Sequence, residues 1–290
     1  MMLLTRVNLT LGVAFLLGTG VSGVVAHRIL QDDAKREALE TVRLMLASAT
    51  ASRDYTKSEI VPLLSPRLAT VFLPQMVPAY AATQNLERLR KDNPQFVYRE
   101  ATLNPTNPRD RAEEWEADIV NQFRSDSTLK ELNGVRMTTL GPSMYLARPL
   151  RASSADCLVC HGTAASAPPT MVAIYGTEHG FGWQVNEVIG SQIMSVPMSA
   201  ALDKADRAFT VFMLSITGVF ALMFVLVNIM IRGIVLRPIA RMVEVSEQVS
   251  HGDLSAPTYE PKGNDEIAQL ARSFERMRKS LVKSLTLLDG

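Results

Sequence analysis

Two long uncharged apolar runs set the outline of this 290-residue chain. The first, Val7 to Ala26, reads VNLTLGVAFLLGTGVSGVVA, and the second, Ala208 to Ile231, reads AFTVFMLSITGVFALMFVLVNIMI. A helix rising about 1.5 Å per residue needs roughly 20 residues to cross a hydrocarbon core of about 30 Å, and both runs meet that length. A core helix of a soluble protein would carry a polar stripe. The second run offers only Asn228 as a strongly polar residue. Val24-Val25-Ala26 leaves open a cleaved signal peptide, but the first run exceeds the usual apolar core of about 7–15 residues, so a retained anchor is expected. Residues are 47% hydrophobic yet 6% aromatic; the two runs absorb much of that apolar content and leave modest soluble parts.

Charge orients the hairpin. Arg232, Arg237 and Arg241 follow the second run and Arg6 precedes the first, so the positive-inside rule places both ends in the cytoplasm. The expected organisation is residues 1–6 in the cytoplasm, 7–27 and 208–231 as transmembrane helices, and 28–207 as an external, periplasmic domain. A cytoplasmic linker at 232–285 and a tail at 286–290 complete it. This is a two-pass protein of a bacterial inner membrane, in contact with membrane lipid. A net charge of +1 gives no basic field for nucleic acid.

Within the external segment, residues 28–55 are rich in Ala, Leu, Glu and Arg and read as a long helix. Pro62, Pro66, Pro74, Pro78, Pro94, Pro105 and Pro108 then punctuate short helices and loops. From about Phe96 the texture becomes strand-like: PQFVYREATL, GVRMTTL and SMYLARPL, then MVAIYG, FGWQV and EVIGSQIMSVPM. The expected class is α+β, an antiparallel sheet with flanking helices.

The two cysteines of the chain fall together in Cys157-Leu158-Val159-Cys160-His161. Thiols separated by two residues reach the two vinyl groups on one edge of a haem, and the next residue can donate a ring nitrogen to the iron. Cys157 and Cys160 are therefore candidate thioether attachments for one covalent haem c, and His161 its proximal ligand. A thioredoxin-like pair would be expected beside a βαβ pattern, and zinc would require two further ligands. Neither accompaniment is found. The external position agrees, because c-type haem is attached on the outer side of the bacterial membrane.

The second face of the iron is open to several donors. Among four histidines, His27 lies at the membrane edge and His251 in the cytoplasmic segment. His179, in YGTEHGFGW, is a possible distal ligand, its alternative being an exposed loop histidine. Met45, Met76, Met171 and Met194 carry thioethers, although buried methionine more often packs. A vacant position would receive a diatomic gas.

An ordered series of further residues resembles a known family, periplasmic c-type haem sensor domains with a PAS-like fold that precede HAMP linkers. It comprises Tyr98-Arg99-Glu100-Ala101, Asn104-Pro105, Asn107-Pro108, Trp115-Glu116 and Tyr145-Leu146-Ala147-Arg148-Pro149. The CLVCHG run, Ala167-Pro168, Tyr175-Gly176, Gly180-Phe181-Gly182-Trp183, Gly190 and Ser195-Val196-Pro197-Met198 complete it, over residues 35 to 200. The resemblance implies a PAS-like antiparallel sheet holding haem through Cys157, Cys160 and His161. In that family a cysteine of the long first helix can be the second axial ligand; the corresponding region here reads Leu46-Ala47-Ser48-Ala49-Thr50, so that ligand is lost or replaced. Arg148 is a candidate partner for a haem propionate, with an ion pair at the surface or a sheet edge as the alternative. Tyr145, Tyr175, Phe181 and Trp183 are candidate haem-pocket residues, a core role being the alternative.

Beyond the second run, a helix begins at Leu236-Arg237-Pro238-Ile239 and breaks at His251-Gly252-Asp253-Leu254. A connector with Pro257, Pro261 and Gly263 follows, and a second helix starts near Asp265-Glu266. Ile267, Leu270, Phe274, Met277 and Leu281 form an a/d seam. The pattern resembles a HAMP linker, which implies a parallel four-helix bundle made by a homodimer. With little chain after it, output is expected to pass to a cytoplasmic signalling partner supplied in trans. The expected function is a non-enzymatic receptor for redox state, through a redox partner, or for a small gas ligand. The alternative is a membrane-anchored monohaem cytochrome in electron transfer.

Overall fold

The computed structural model describes residues 3–253 and 263–288. The chain divides into two compact units, Ala26–Phe209 and a second formed by Met1–Val25 with Thr210–Gly290.

The first unit is built on helix α1 (Leu3–Tyr55). Ala38, Val42, Leu46 and Ala49 recur at helical spacing and are all buried, the stripe that packs a helix onto a core. A π-helical turn at Thr56–Ile60 and the short α2 (Val61–Leu64) end this run. Helix α3 (Pro78–Asp92) opens on a proline, which has no amide hydrogen to lose at a helix start. Strands β1 (Val97–Thr102), β2 (Leu132–Thr138), β3 (Gly141–Arg151) and β4 (Val188–Pro197) make one antiparallel sheet in the order β1-β4-β3-β2. Helix α4 (Glu114–Ser125) lies between β1 and β2 in the chain, and α5 (Asp156–His161) and α6 (Pro169–Tyr175) between β3 and β4.

Successive side chains of a strand point to opposite faces, and the sheet uses both. On one face Met144, Leu146, Met194 and Val196 pack with the α1 stripe and with Ala82 and Leu86 of α3. On the other, Ala101, Ala147 and Ile193 pack with Ile119, Val120 and Phe123 of α4. The result is a mixed domain, an antiparallel sheet with helices on both faces.

Three segments differ from the sequence reading. MVAIYG is helix α6: Pro168 and Pro169 pre-set its first turn, and Gly176, at φ +77°, ends it. FGWQV is a loop because its backbone turns elsewhere. The Gly182 amide donates to the Gly162 carbonyl at 2.7 Å and the Trp183 amide to the His161 carbonyl at 3.2 Å. Helix α4 interrupts the strand-like stretch, started by a capping box in which the Glu113 amide donates to Glu116 at 2.9 Å.

The second unit contains the apolar lengths of α1 and of α7 (Ser199–Met230), two helices long and apolar enough to cross a membrane. They meet at Phe15 and Phe220, whose rings lie edge to face at 5.0 Å. A π-turn at Ile231–Leu236 leads into α8 (Arg237–Ser250), and Gly252, at φ +88°, turns the chain. Leu254, Pro257 and Pro261 lie outside the described residues. Asp265 caps α9 (Glu266–Leu288) by accepting from the Ala268 amide at 2.7 Å. Met242, Val245, Ala268 and Ala271 are buried, whereas Leu270, Met277 and Leu281 are exposed.

Candidate cofactor site

The cysteine motif forms nearly all of α5, a six-residue helix that carries Cys157, Cys160 and His161 within two turns. Its end is closed by the Gly162 amide donating to the Leu158 carbonyl at 2.9 Å. Both cysteines are free thiols, half-buried. Burial, with Cys157 nearby, pushes the Cys160 thiol above its usual range.

His161 is held on two sides. Its Nδ1 lies 2.7 Å from the Gly180 carbonyl, and Trp183 stacks on the ring at 3.8 Å between centroids and 12° between planes. Burial lowers the imidazole below the usual histidine range, against the opposing pull of the Gly180 carbonyl. A neutral ring that donates from Nδ1 to a carbonyl keeps its lone pair on Nε2, the arrangement a metal-ligating histidine uses. The residue at 180 must be glycine: its φ is +83°, and a Cβ there would collide with the Thr106 side chain.

A cavity of about 310 Å³ adjoins the motif, within the range of sites that enclose small organic groups. Cys157, Cys160, His161, Tyr175 and Trp183 line it from the motif side, Phe72 and Met76 from the segment that leads into α3, Tyr80 from α3 itself, and Arg53 and Glu100 from α1 and β1. It opens where α1 leaves the sheet: Ala38 to Ala49 fill the face upstream, and Arg53 is the first α1 residue at the cavity. Two thiols and an imidazole on one wall of a largely apolar cavity suit a metalloporphyrin. Among the described residues no three His, Cys, Asp or Glu side chains converge to hold a bare ion, whereas a macrocycle brings four nitrogens of its own.

The other candidate residues divide between the cavity and the rest of the domain. Tyr175 and Trp183 line the cavity, but Phe181 and His179 are not among its lining residues. Arg148, on the α1 face of β3, points along the sheet to Glu131, 3.2 Å away, which also receives Arg43 at 2.8 Å. Tyr145, one face over, packs edge-on against Trp115 at 5.8 Å, and Arg136 lies 3.8 Å above the same indole. Of the four methionines considered for the iron, Met45 and Met194 belong to the sheet core and only Met76 and Met171 reach the cavity.

The sequence reading did not single out Arg53, whose guanidinium pairs with Glu100 on the cavity wall. Glu100 is 4% exposed and accepts a second bond from the Tyr98 hydroxyl at 2.7 Å, itself reached by Gln192 at 2.9 Å. Burial keeps the Tyr98 phenol well above its usual range, so it remains a donor. An arginine in an otherwise ordinary helix gives no local signal of this role, because the partner is 47 residues away.

Fold and site together define an antiparallel-sheet domain with two thiols and an imidazole on the wall of one cavity, followed in the chain by a pair of helices. The chain belongs to the Tll0287-like family, whose model matches residues 31–197. Residues 230–283 match the HAMP domain. The crystal structure of the cyanobacterial heme-protein Tll0287 is similar to this chain, with 17% identity, a TM-score of 0.43, and coverage of 56% of this chain and 95% of that one. No curated protein matches.

Proposed function

We propose that this protein is a membrane-anchored haem c receptor that reports redox state or a diatomic gas in the periplasm to a cytoplasmic signalling partner. The observation that carries the reading is His161: buried, stacked on Trp183, hydrogen-bonded through Nδ1 to Gly180, and in one helix with two free thiols on a cavity wall. When bound, haem supplies an iron whose charge and ligand change with the signal. The chain's own residues do the rest. Cys157 and Cys160 would hold the macrocycle, His161 would offer its Nε2 to the iron, and Phe72, Tyr175 and Trp183 would exclude water. Arg53, Lys57, Arg109 and Arg151 are the cations lining the cavity, and they replace Arg148 as candidates for a propionate.

The proposed boundaries are 7–27 and 208–231 in the inner membrane, 28–207 outside, and 232–285 as the HAMP segment, with 1–6 and 286–290 cytoplasmic. Support for the membrane assignment comes from the two long apolar helices and the arginines after the second. Support for a homodimer comes from the HAMP match and from Leu270, Met277 and Leu281, apolar seam residues exposed in one copy. A receptor requires that the signal favour one of two conformations. Cysteine crosslinking across the dimer at position 270, on full-length protein in membranes, tests this. Efficiency should change between oxidised and reduced haem, or on adding CO or NO. Identical crosslinking in every state leaves the electron-carrier alternative.

A further inference from the structure

We infer that Met76 supplies the second axial ligand to the haem iron, an assignment that rests on the haem reading above. Helix α1 offers no iron ligand: Leu46 and Ala49 are fully buried in the core on the sheet, and Arg53, the α1 residue that lines the cavity, carries a guanidinium that does not ligate iron. The ligand must come from another element. Cys157 and Cys160 are committed to the macrocycle, His179 does not line the cavity, and the remaining soft donors on its wall are the thioethers of Met76 and Met171, both buried.

Their positions distinguish them. Met171 stands on α6, the helix that directly follows the one bearing His161. Met76 stands on a separate segment, in a 3-10 turn between Pro74 and Pro78. That turn is pinned by the Met76 amide donating to Leu73 at 3.0 Å and the Val77 amide to Pro74 at 2.9 Å. A macrocycle held by α5 would present its second face to residues outside α5, and Phe72, Met76 and Tyr80 are cavity residues contributed by a separate stretch of chain. A thioether is polarisable and flexible enough to find the iron, and His/Met ligation raises the reduction potential. A gas would then have to displace Met76, so redox state is the signal the site is built to report.

The test uses the full-length haem-loaded protein in detergent, with Met76→Leu and Met171→Leu, volume-conserving changes that a core tolerates. The ferric wild type should show the near-infrared thioether-to-iron charge-transfer band. Met76→Leu should lose that band, lower the potential and bind added azide more tightly, while Met171→Leu keeps all three properties of the wild type. Haem present without the band, or a band lost with Met171→Leu and kept with Met76→Leu, overturns the assignment alone. Haem absent from denatured wild-type protein overturns the haem reading with it.

Discussion

Strand β1 carries two ion pairs on adjacent residues, and the contrast between them separates scaffold from site. Arg99 faces α4 and grips Glu116 with two bonds, of 3.0 and 2.9 Å. Glu116 is 1% exposed and its other duty is to cap α4. Glu100, one residue on, faces the opposite side and meets Arg53 at the wall of the cavity. The first pair is closed on itself: every strong acceptor is spent on helix, strand and loop. The second is open: Arg53 retains donors beyond its bond to Glu100, on a side chain that lines the cofactor cavity. Under the proposed haem reading, the second pair keeps a cation on the cavity wall where a propionate would lie.

That contrast can be broken most directly by removing each arginine in turn. Arg99→Ala strands a buried carboxylate and should cost about 3–5 kcal/mol, read by denaturation of the full chain in detergent. Arg53→Ala leaves Glu100 its Tyr98 bond and an adjoining cavity. It also strands a buried carboxylate and should cost a similar amount, about 3–5 kcal/mol, while shifting the haem spectrum and potential, which Arg99→Ala should leave unmoved. Unmoved spectra for both would erase the distinction. A smaller effect sharpens it. Glu131 shares its carboxylate between Arg43 and Arg148, and chiefly the Arg43 hydrogen bond holds it below the usual range. Its contribution is complete above the unfolded glutamate pKa of about 4.3 and is lost as pH falls through the lower folded value. At a partly exposed site it is worth no more than about 1 kcal/mol. Glu131→Gln should flatten the acid limb of the stability curve by that amount and leave the haem spectrum as it was.

Much of this was legible in the sequence because it is written in local patterns. The uncharged runs, the helix-forming composition of residues 28–55, the a/d spacing from Ile267 to Leu281 and the CLVCH spacing each act over a few residues. What was missed acts at a distance. MVAIYG has the composition of a strand, yet Pro168, Pro169 and Gly176 make it a helix, and FGWQV is drawn off the sheet by bonds to Gly162 and His161. The α4 capping box between Glu113 and Glu116 was a readable local signal that went unused. Arg148 shares the sheet face of Glu100, but its guanidinium is taken by Glu131, and strand parity turns Tyr145 to the other face, against Trp115. Arg53 and Met76 are the reverse case: far from the motif in the chain, brought to the cavity only by the fold.

The proposed receptor depends on a macrocycle bonded through sulfur to residues 157 and 160. Intact mass and visible absorption of the denatured full-length protein, purified from cells able to attach haem, test it most directly. The predicted result is a single added haem mass with a Soret band that survives acid–organic extraction and disappears in Cys157→Ala/Cys160→Ala. A polypeptide of unmodified mass, with all colour lost to the organic phase, would contradict it.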